Sequence, residues 1–333
     1  MRGFVLCAAG DTQSTWAPRP PLRLGHVNER VSTENLPKRS PDADRPSSRY
    51  RLDIAYQGTD FYGWSRQPDR RTVQGELEAA LHTIFRRYPP APTLVVAGRT
   101  DAGVHAAAQV AHTDLTPEQE ASLLRPRGNA PRGESVGQVL ARRINGILGP
   151  VPDVVILGAE KAPDGFDARF SAIWRRYEYR LADLSSDRDP LQRHRTTWVH
   201  GSLSVDDMDE AAQALVGLHD FAAYCKPREG ATTIRTLQDF RWMRDETGVL
   251  HAAVKADAFC HSMVRSLVGA CVAVGESKLG VHDLVALRRA VGRANDFKVM
   301  PARGLTLIEV GYPNDSALGI RAEQTRARRE LAP

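Results

Sequence analysis

Between residues 93 and 115 the chain commits itself to a sheet. Thr93 to Ala97 is a short β-branched run that leads into Gly98-Arg99-Thr100-Asp101-Ala102-Gly103, and His105 to Leu115 resumes a strand-like pattern. Two strands joined through a glycine-bounded loop cannot be read as a helix pair. The same signals recur along the chain. Leu52, Ile54 and Tyr56 alternate before the turn Gln57-Gly58-Thr59-Asp60, and Val154 to Leu157 is a further strand. Ile173, Tyr177, Tyr179 and Leu181 are expected to share one strand face. Thr233 to Met243, Val249 to Asp257 and Leu305 to Val310 complete the set.

Helical periodicity lies between these strands without alternating regularly with them. Val73, Leu77, Leu81, Ile84 and Phe85 form one apolar face behind an N-cap at Thr72, and Pro89-Pro90 follows. Val136 to Leu148 predicts a second helix. Ser204 and Asp207 resemble a capping box for a helix that buries Met208, Ala211, Leu215 and Val216. Ser262 to Val274 and His282 to Val291 are two more helices. Strand-rich segments with irregularly interspersed helices imply an α+β protein with mixed, mainly antiparallel sheets rather than a doubly wound one.

Residues 1–48 hold Pro18, Pro20, Pro21, Pro37, Pro41 and Pro46 without a periodic apolar pattern, and are expected to be a disordered extension. The polar stretch Arg125 to Glu134 reads as a surface insertion, spanning about 124–136, and 314–333 as a polar tail that could fray from a helix.

With 333 residues the chain can bury a real core without disulfides, and Cys7, Cys225, Cys260 and Cys271 form no Cys-x-x-Cys pair. A reduced cytoplasmic protein is the simplest expectation. Its first ten residues carry too short an apolar stretch for a signal peptide, and no run of about eighteen apolar residues exists to enter a membrane. Net charge is +5, and 39 of the 45 basic residues are Arg, whose planar fork suits phosphates and base edges. That balance points mildly to an RNA or phosphate partner. His105, His112, His219 and His261 stand in separate segments without metal-ligand spacing, so core or surface histidines are expected and no metal.

On spacing alone the loop has two readings. Asp101 caps backbone amides in a β-turn, or the glycines expose its carboxylate beside Arg99. The string Gly98-Arg99-Thr100-Asp101-Ala102-Gly103-Val104-His105-Ala106 resembles the signature loop of the TruA family of tRNA pseudouridine synthases. Other matches follow in the family's order over about residues 50–312. Tyr56 to Trp64 with Thr72-Val73-Gln74 resembles its first strand, turn and helix start. Phe166 to Phe170 and Arg175-Arg176-Tyr177-Glu178-Tyr179 resemble its central elements. Gly217 to Phe221, Phe259 to Arg265 and Gly304-Leu305 resemble motifs of its second half.

The resemblance implies two similar αβ domains, 49–163 and 164–313, whose sheets join into one sheet flanked by helices, with the active site in the cleft between them. It implies isomerisation of uridine to pseudouridine in the tRNA anticodon arm, typically at positions 38, 39 and 40, by a homodimer without metal or organic cofactor. By position, Asp101 matches the catalytic aspartate, Arg99 the arginine that displaces the target base, Tyr177 the active-site tyrosine and Arg265 the arginine paired with the aspartate. Arg169, Arg175, Arg176 and Arg235 are candidates for phosphate contacts. Breaking a nucleoside's N1–C1′ bond creates cationic character on the sugar, which a single carboxylate can meet as a nucleophile; removal of a C2′ proton by the same group is the other route. The competing readings are an inactive tRNA-binding or tRNA-folding protein of the same fold and a glycoside hydrolase. All matched positions are filled, which opposes the first, and no second acidic partner stands in a matching motif, which opposes the second.

Overall fold

The computed structural model describes residues 47–125, 133–226, 232–287 and 294–326. Nearly all of the expected extension, the centre of the expected insertion and the end of the tail lie outside them.

Among the described residues, ten strands form one sheet. They are β1 (Ser48–Tyr56), β2 (Val95–Val96), β3 (His105–Leu115), β4 (Val154–Lys161), β5 (Trp174–Ala182), β6 (Thr197–Trp198), β7 (Gly217–Asp220), β8 (Ile234–Arg244), β9 (Leu250–Ala256) and β10 (Leu305–Gly311). The main order is β4-β1-β3-β10-β5-β9-β8-β7, with β2 on β3 and β6 on β5. Neighbours pair antiparallel except at β10–β3 and β5–β6. The fold class is therefore α+β with a mixed, mainly antiparallel sheet.

The last strand of the chain does the joining. β10 sets Thr306 beside His105 of β3 and Leu305 beside Tyr179 of β5, so the early and late strands share one hydrogen-bonded surface.

Seven helices accompany the sheet among the described residues: α1 (Val73–Phe85), α2 (Pro117–Leu124), α3 (Val136–Leu148), α4 (Val205–Ala214), α5 (Met263–Gly275), α6 (Val281–Leu287) and α7 (Leu318–Arg326). α1 and α3 pack together with α3 on β4, while α4 packs on β8 and α5. The α1 stripe buries Val73, Leu77, Leu81 and Phe85, and Thr72 accepts from the Gly75 amide as its cap. α5 buries all of its residues but Arg265, which makes that arginine the one charge set into an apolar rod.

One expectation changes, one helix is added and one expected helix is seen in part. Ser204 accepts from the Asp207 amide, and its helix turns inward with Ala212 rather than Val216, which is 37% exposed. α2 is a helix that the apolar periodicity does not predict, although Thr116 and Gln119 form a complete capping box there. The expected helix from His282 to Val291 is seen to Leu287, and its remainder lies outside the described residues.

Candidate active site

The signature loop is shaped by the segment that follows β1. Trp64 donates its amide to the Thr100 carbonyl, and Gly103 donates to the Phe61 carbonyl. Gly58 lies so close that a Cβ there would fall 2.0 Å from the Val104 carbonyl oxygen. Gly63, at φ +86°, would place a Cβ 2.8 Å from the Thr100 oxygen. Side chains finish the cradle. The Tyr56 and Thr100 hydroxyls are 2.8 Å apart, and Gln109 donates to the Gly98 carbonyl and to the Tyr56 oxygen. Thus the Tyr56 to Trp64 motif and the Asp101 loop are two parts of one device.

His105 closes the loop from the other side. Its Nδ1 accepts from the Gly58 amide at 3.0 Å, which leaves Nε2 to donate to the Arg303 carbonyl at 3.1 Å. Burial lowers its pKa. A neutral histidine therefore ties the loop to the turn before β10.

Asp101 faces the start of α5. Arg265 Nη2 is 3.2 Å from Oδ2 of Asp101, the Ser262 hydroxyl lies 3.3 Å from the same oxygen, and His261 Nε2 is 3.6 Å from Oδ1. The carboxylate is partly exposed, at 27%. Arg265 is steadied through Nη2 to the Ser262 hydroxyl and Nη1 to the Met300 carbonyl. Arg265 thus sets a positive charge directly against the carboxylate.

Tyr177 is buried on the face of β5 that also carries Arg175 and Tyr179. Phe259 meets its ring edge-on at 5.1 Å between centroids. Burial raises the Tyr177 pKa, and Tyr56 and Asp101 push it the same way. Its hydroxyl therefore stays protonated at neutral pH. Arg99 is exposed on the loop.

Arg175 is placed differently from the phosphate contact expected of it. It is 8% exposed, with Nη1 donating to the Asp257 carbonyl and Nη2 to the Ala97 and Arg169 carbonyls. Burial lowers its pKa. Its fork pins three segments: the entry to the Asp101 loop, the Phe166 to Phe170 turn and the end of β9. Arg176 points to the opposite face of β5 and pairs with Glu309 at 2.5 Å, so it stands apart from Asp101. Arg169 is exposed and lies over the Phe170 ring, and Arg235 lies near Cys260, whose thiol pKa is lowered chiefly by its hydrogen bond with Cys225 and further by the Arg235 charge.

Two neighbours of Asp101 were not singled out from sequence. His261 was expected to be an ordinary core or surface histidine, and Ser262 carried no expectation beyond starting a helix. Both sit within the Phe259 to Arg265 motif, so motif membership was the signal available.

Known proteins show which family the chain resembles. Residues 211–313 match the family described as tRNA pseudouridine synthase. The chain is 66% identical over 285 residues to tRNA pseudouridine synthase A of Leifsonia xyli subsp. xyli, covering 86% of this chain and 99% of that protein. It is 50% identical to the protein of the same name from Cutibacterium acnes, over 85% of this chain and 95% of that one. It is 47% identical to that of Mycobacterium leprae, over 84% and 94%. At such identity and coverage, this chain belongs to the tRNA pseudouridine synthase A family.

Proposed function

We propose that the chain isomerises uridine to pseudouridine in tRNA, with Asp101 as the group that reacts at the ribose. The observation that carries this reading is the pairing of Asp101 with Arg265, with the buried Tyr177 near enough for the Asp101 charge to act on its hydroxyl. The N1–C1′ bond breaks, the uracil turns within the pocket, a C5–C1′ bond forms, the C5 proton leaves and N1 gains one. No electron is lost or gained and the base is not released. An ionised carboxylate serves either route, attack on C1′ or removal of the C2′ proton.

A uridine in a stem must first leave the stack, at a cost of a few kcal/mol, and Arg99 is suited to fill the gap behind it. Tyr177 offers a buried ring against the sugar or base. Arg169 and Arg235 serve as phosphate contacts. The reading extends, by resemblance, to positions 38, 39 and 40 of the anticodon arm, to a homodimer and to the cytoplasm, without metal or cofactor. The half that carries Asp101 spans 49–163 and its partner half 164–313; the end of β4 at Lys161 supports that division.

Release of tritium from C5-labelled uridine in tRNA transcripts tests the activity. Release by the intact chain that disappears in Asp101→Asn supports the reading; an active Asp101→Asn chain removes it.

A further inference from the structure

A carboxylate on a short side chain turns easily about its last bond, so an aspartate that must present one particular oxygen needs donors that stop the rotation. Arg265 is one such donor. The structure holds a second in an unusual place.

Ser262 directly precedes α5, where a serine ordinarily has extended backbone and folds its hydroxyl back onto the second or third amide of the helix. Here Ser262 has φ 64° and ψ 6°, in the left-handed region, and its side chain makes no such cap. The conformation is enforced from both sides. Lys226 donates its amide to the His261 carbonyl at 3.0 Å, Met263 donates to the Cys260 carbonyl, and Ser266 donates to the Ser262 carbonyl. With the backbone turned this way, the hydroxyl points at Asp101 instead of its own helix.

The direction of each hydrogen bond is then fixed. Arg265 has donors only, so the Ser262 oxygen accepts from its Nη2 at 3.0 Å. A serine has one O–H, which therefore goes to Oδ2 of Asp101 at 3.3 Å. Oδ2 thus faces both Ser262 and Arg265, whereas Oδ1 faces the exposed His261 ring at 3.6 Å. The two oxygens of one carboxylate have been made unequal.

On the basis of the pseudouridine synthase reading above, we propose that Ser262 is a positioning residue for Asp101. Its hydroxyl, held outward by left-handed backbone, locks Oδ2 and leaves Oδ1 to meet the ribose. The residue acts through Asp101 and Arg265 and makes no demand on tRNA affinity.

The test must separate the hydroxyl from the backbone. Glycine adopts φ near +60° without steric cost but has no side chain, while asparagine tolerates the same region and offers both a donor and an acceptor. Three chains are compared, the wild type, Ser262→Gly and Ser262→Asn, by single-turnover tritium release from C5-labelled tRNA, by tRNA affinity and by thermal unfolding.

Expected for Ser262→Gly are an unchanged or higher Tm, tRNA affinity within about twofold and a rate about tenfold lower, because the reacting oxygen is no longer held in place. Ser262→Asn should recover at least about threefold of that loss. A Ser262→Gly chain that reacts at the wild-type rate, or a Ser262→Asn chain no faster than Ser262→Gly, overturns the proposal. A wild type that releases no tritium sinks the synthase reading instead, and Asp101→Asn as a silent control keeps the two failures apart.

Discussion

Arg265 Nη2 lies 3.2 Å from Oδ2 of Asp101, joining the first turn of a C-terminal helix to a loop from the N-terminal half. The pair is only about a quarter exposed on either side, at 20% and 27%, so water screens it incompletely. Replacing Arg265 by Met keeps much of the side-chain volume and removes the charge. Turnover should fall about a hundredfold or more, as for loss of one preorganised charged partner, while tRNA affinity changes by less than about tenfold. Single-turnover rates at saturating enzyme check this.

Asp101→Asn keeps the shape of the side chain and removes its negative charge. Isomerisation should vanish while tRNA binding stays within about tenfold, because phosphate contacts dominate affinity. Filter binding beside tritium release measures both quantities on the same preparation. A parallel collapse of binding would make Asp101 a structural residue of the loop.

Arg99 is exposed on the Asp101 loop. If it fills the stack behind a displaced uridine, Arg99→Ala lowers the rate more than the affinity, since it acts on the flipped state. The same substitution on a tRNA whose target uridine is already unpaired should cost less. Equal losses of rate and affinity on both substrates would mark an ordinary phosphate contact.

Arg175 gives a stability prediction. Arg175→Met leaves three backbone carbonyls, those of Ala97, Arg169 and Asp257, without their shared donor. Each hydrogen bond to a charged group contributes about 1.5–3 kcal/mol, so a loss of roughly 3 kcal/mol or more in unfolding free energy is expected by urea titration. Arg175→Lys should recover only part of it, because one ammonium cannot reach as a planar fork does.

His112 predicts how stability depends on pH. It is 3% exposed, and its Nδ1 accepts from the Ala168 amide at 3.0 Å. Burial, with the nearby Arg49 charge, pushes its pKa down from 6.5 to about 4. The folded chain thus keeps the ring neutral where the unfolded chain protonates it. Its contribution is complete above pH 6.5 and is lost as pH falls from there toward about 4, on the order of 3 kcal/mol in total. His112→Asn, which can still accept from Ala168, should lower stability at pH 7 yet flatten the dependence between pH 6 and 4. Chemical denaturation at several pH values measures the slope; equal slopes in both chains refute this.

Local patterns carried much of the fold. The alternation on β1, the apolar stripe on α1 and the β-branched entry to the Asp101 loop each depend on residues within a few positions, which is the range over which strand and helix periodicity act. α2 is illegible in the periodicity because it is short and its apolar content is slight, although Thr116 and Gln119 mark its start. Val216 was placed inward because it continues the spacing of Met208 and Ala211, whereas the helix ends at Ala214 and the chain turns before it.

The sequence by itself determined eight of the ten strands seen among the described residues, though not the short β6 and β7, and most helices, and through the motif at Gly98 to Ala106 it pointed to Asp101. Only the tertiary structure decided what surrounds it. The parallel pairing of β10 with β3 brings distant segments side by side, and no local periodicity encodes a contact between residues so far apart in the chain. Tertiary packing likewise made Arg175 a buried pin between the carbonyls of Ala97, Arg169 and Asp257. It also set Ser262 and His261 against Asp101, because a left-handed residue turns its side chain according to the packing that holds it.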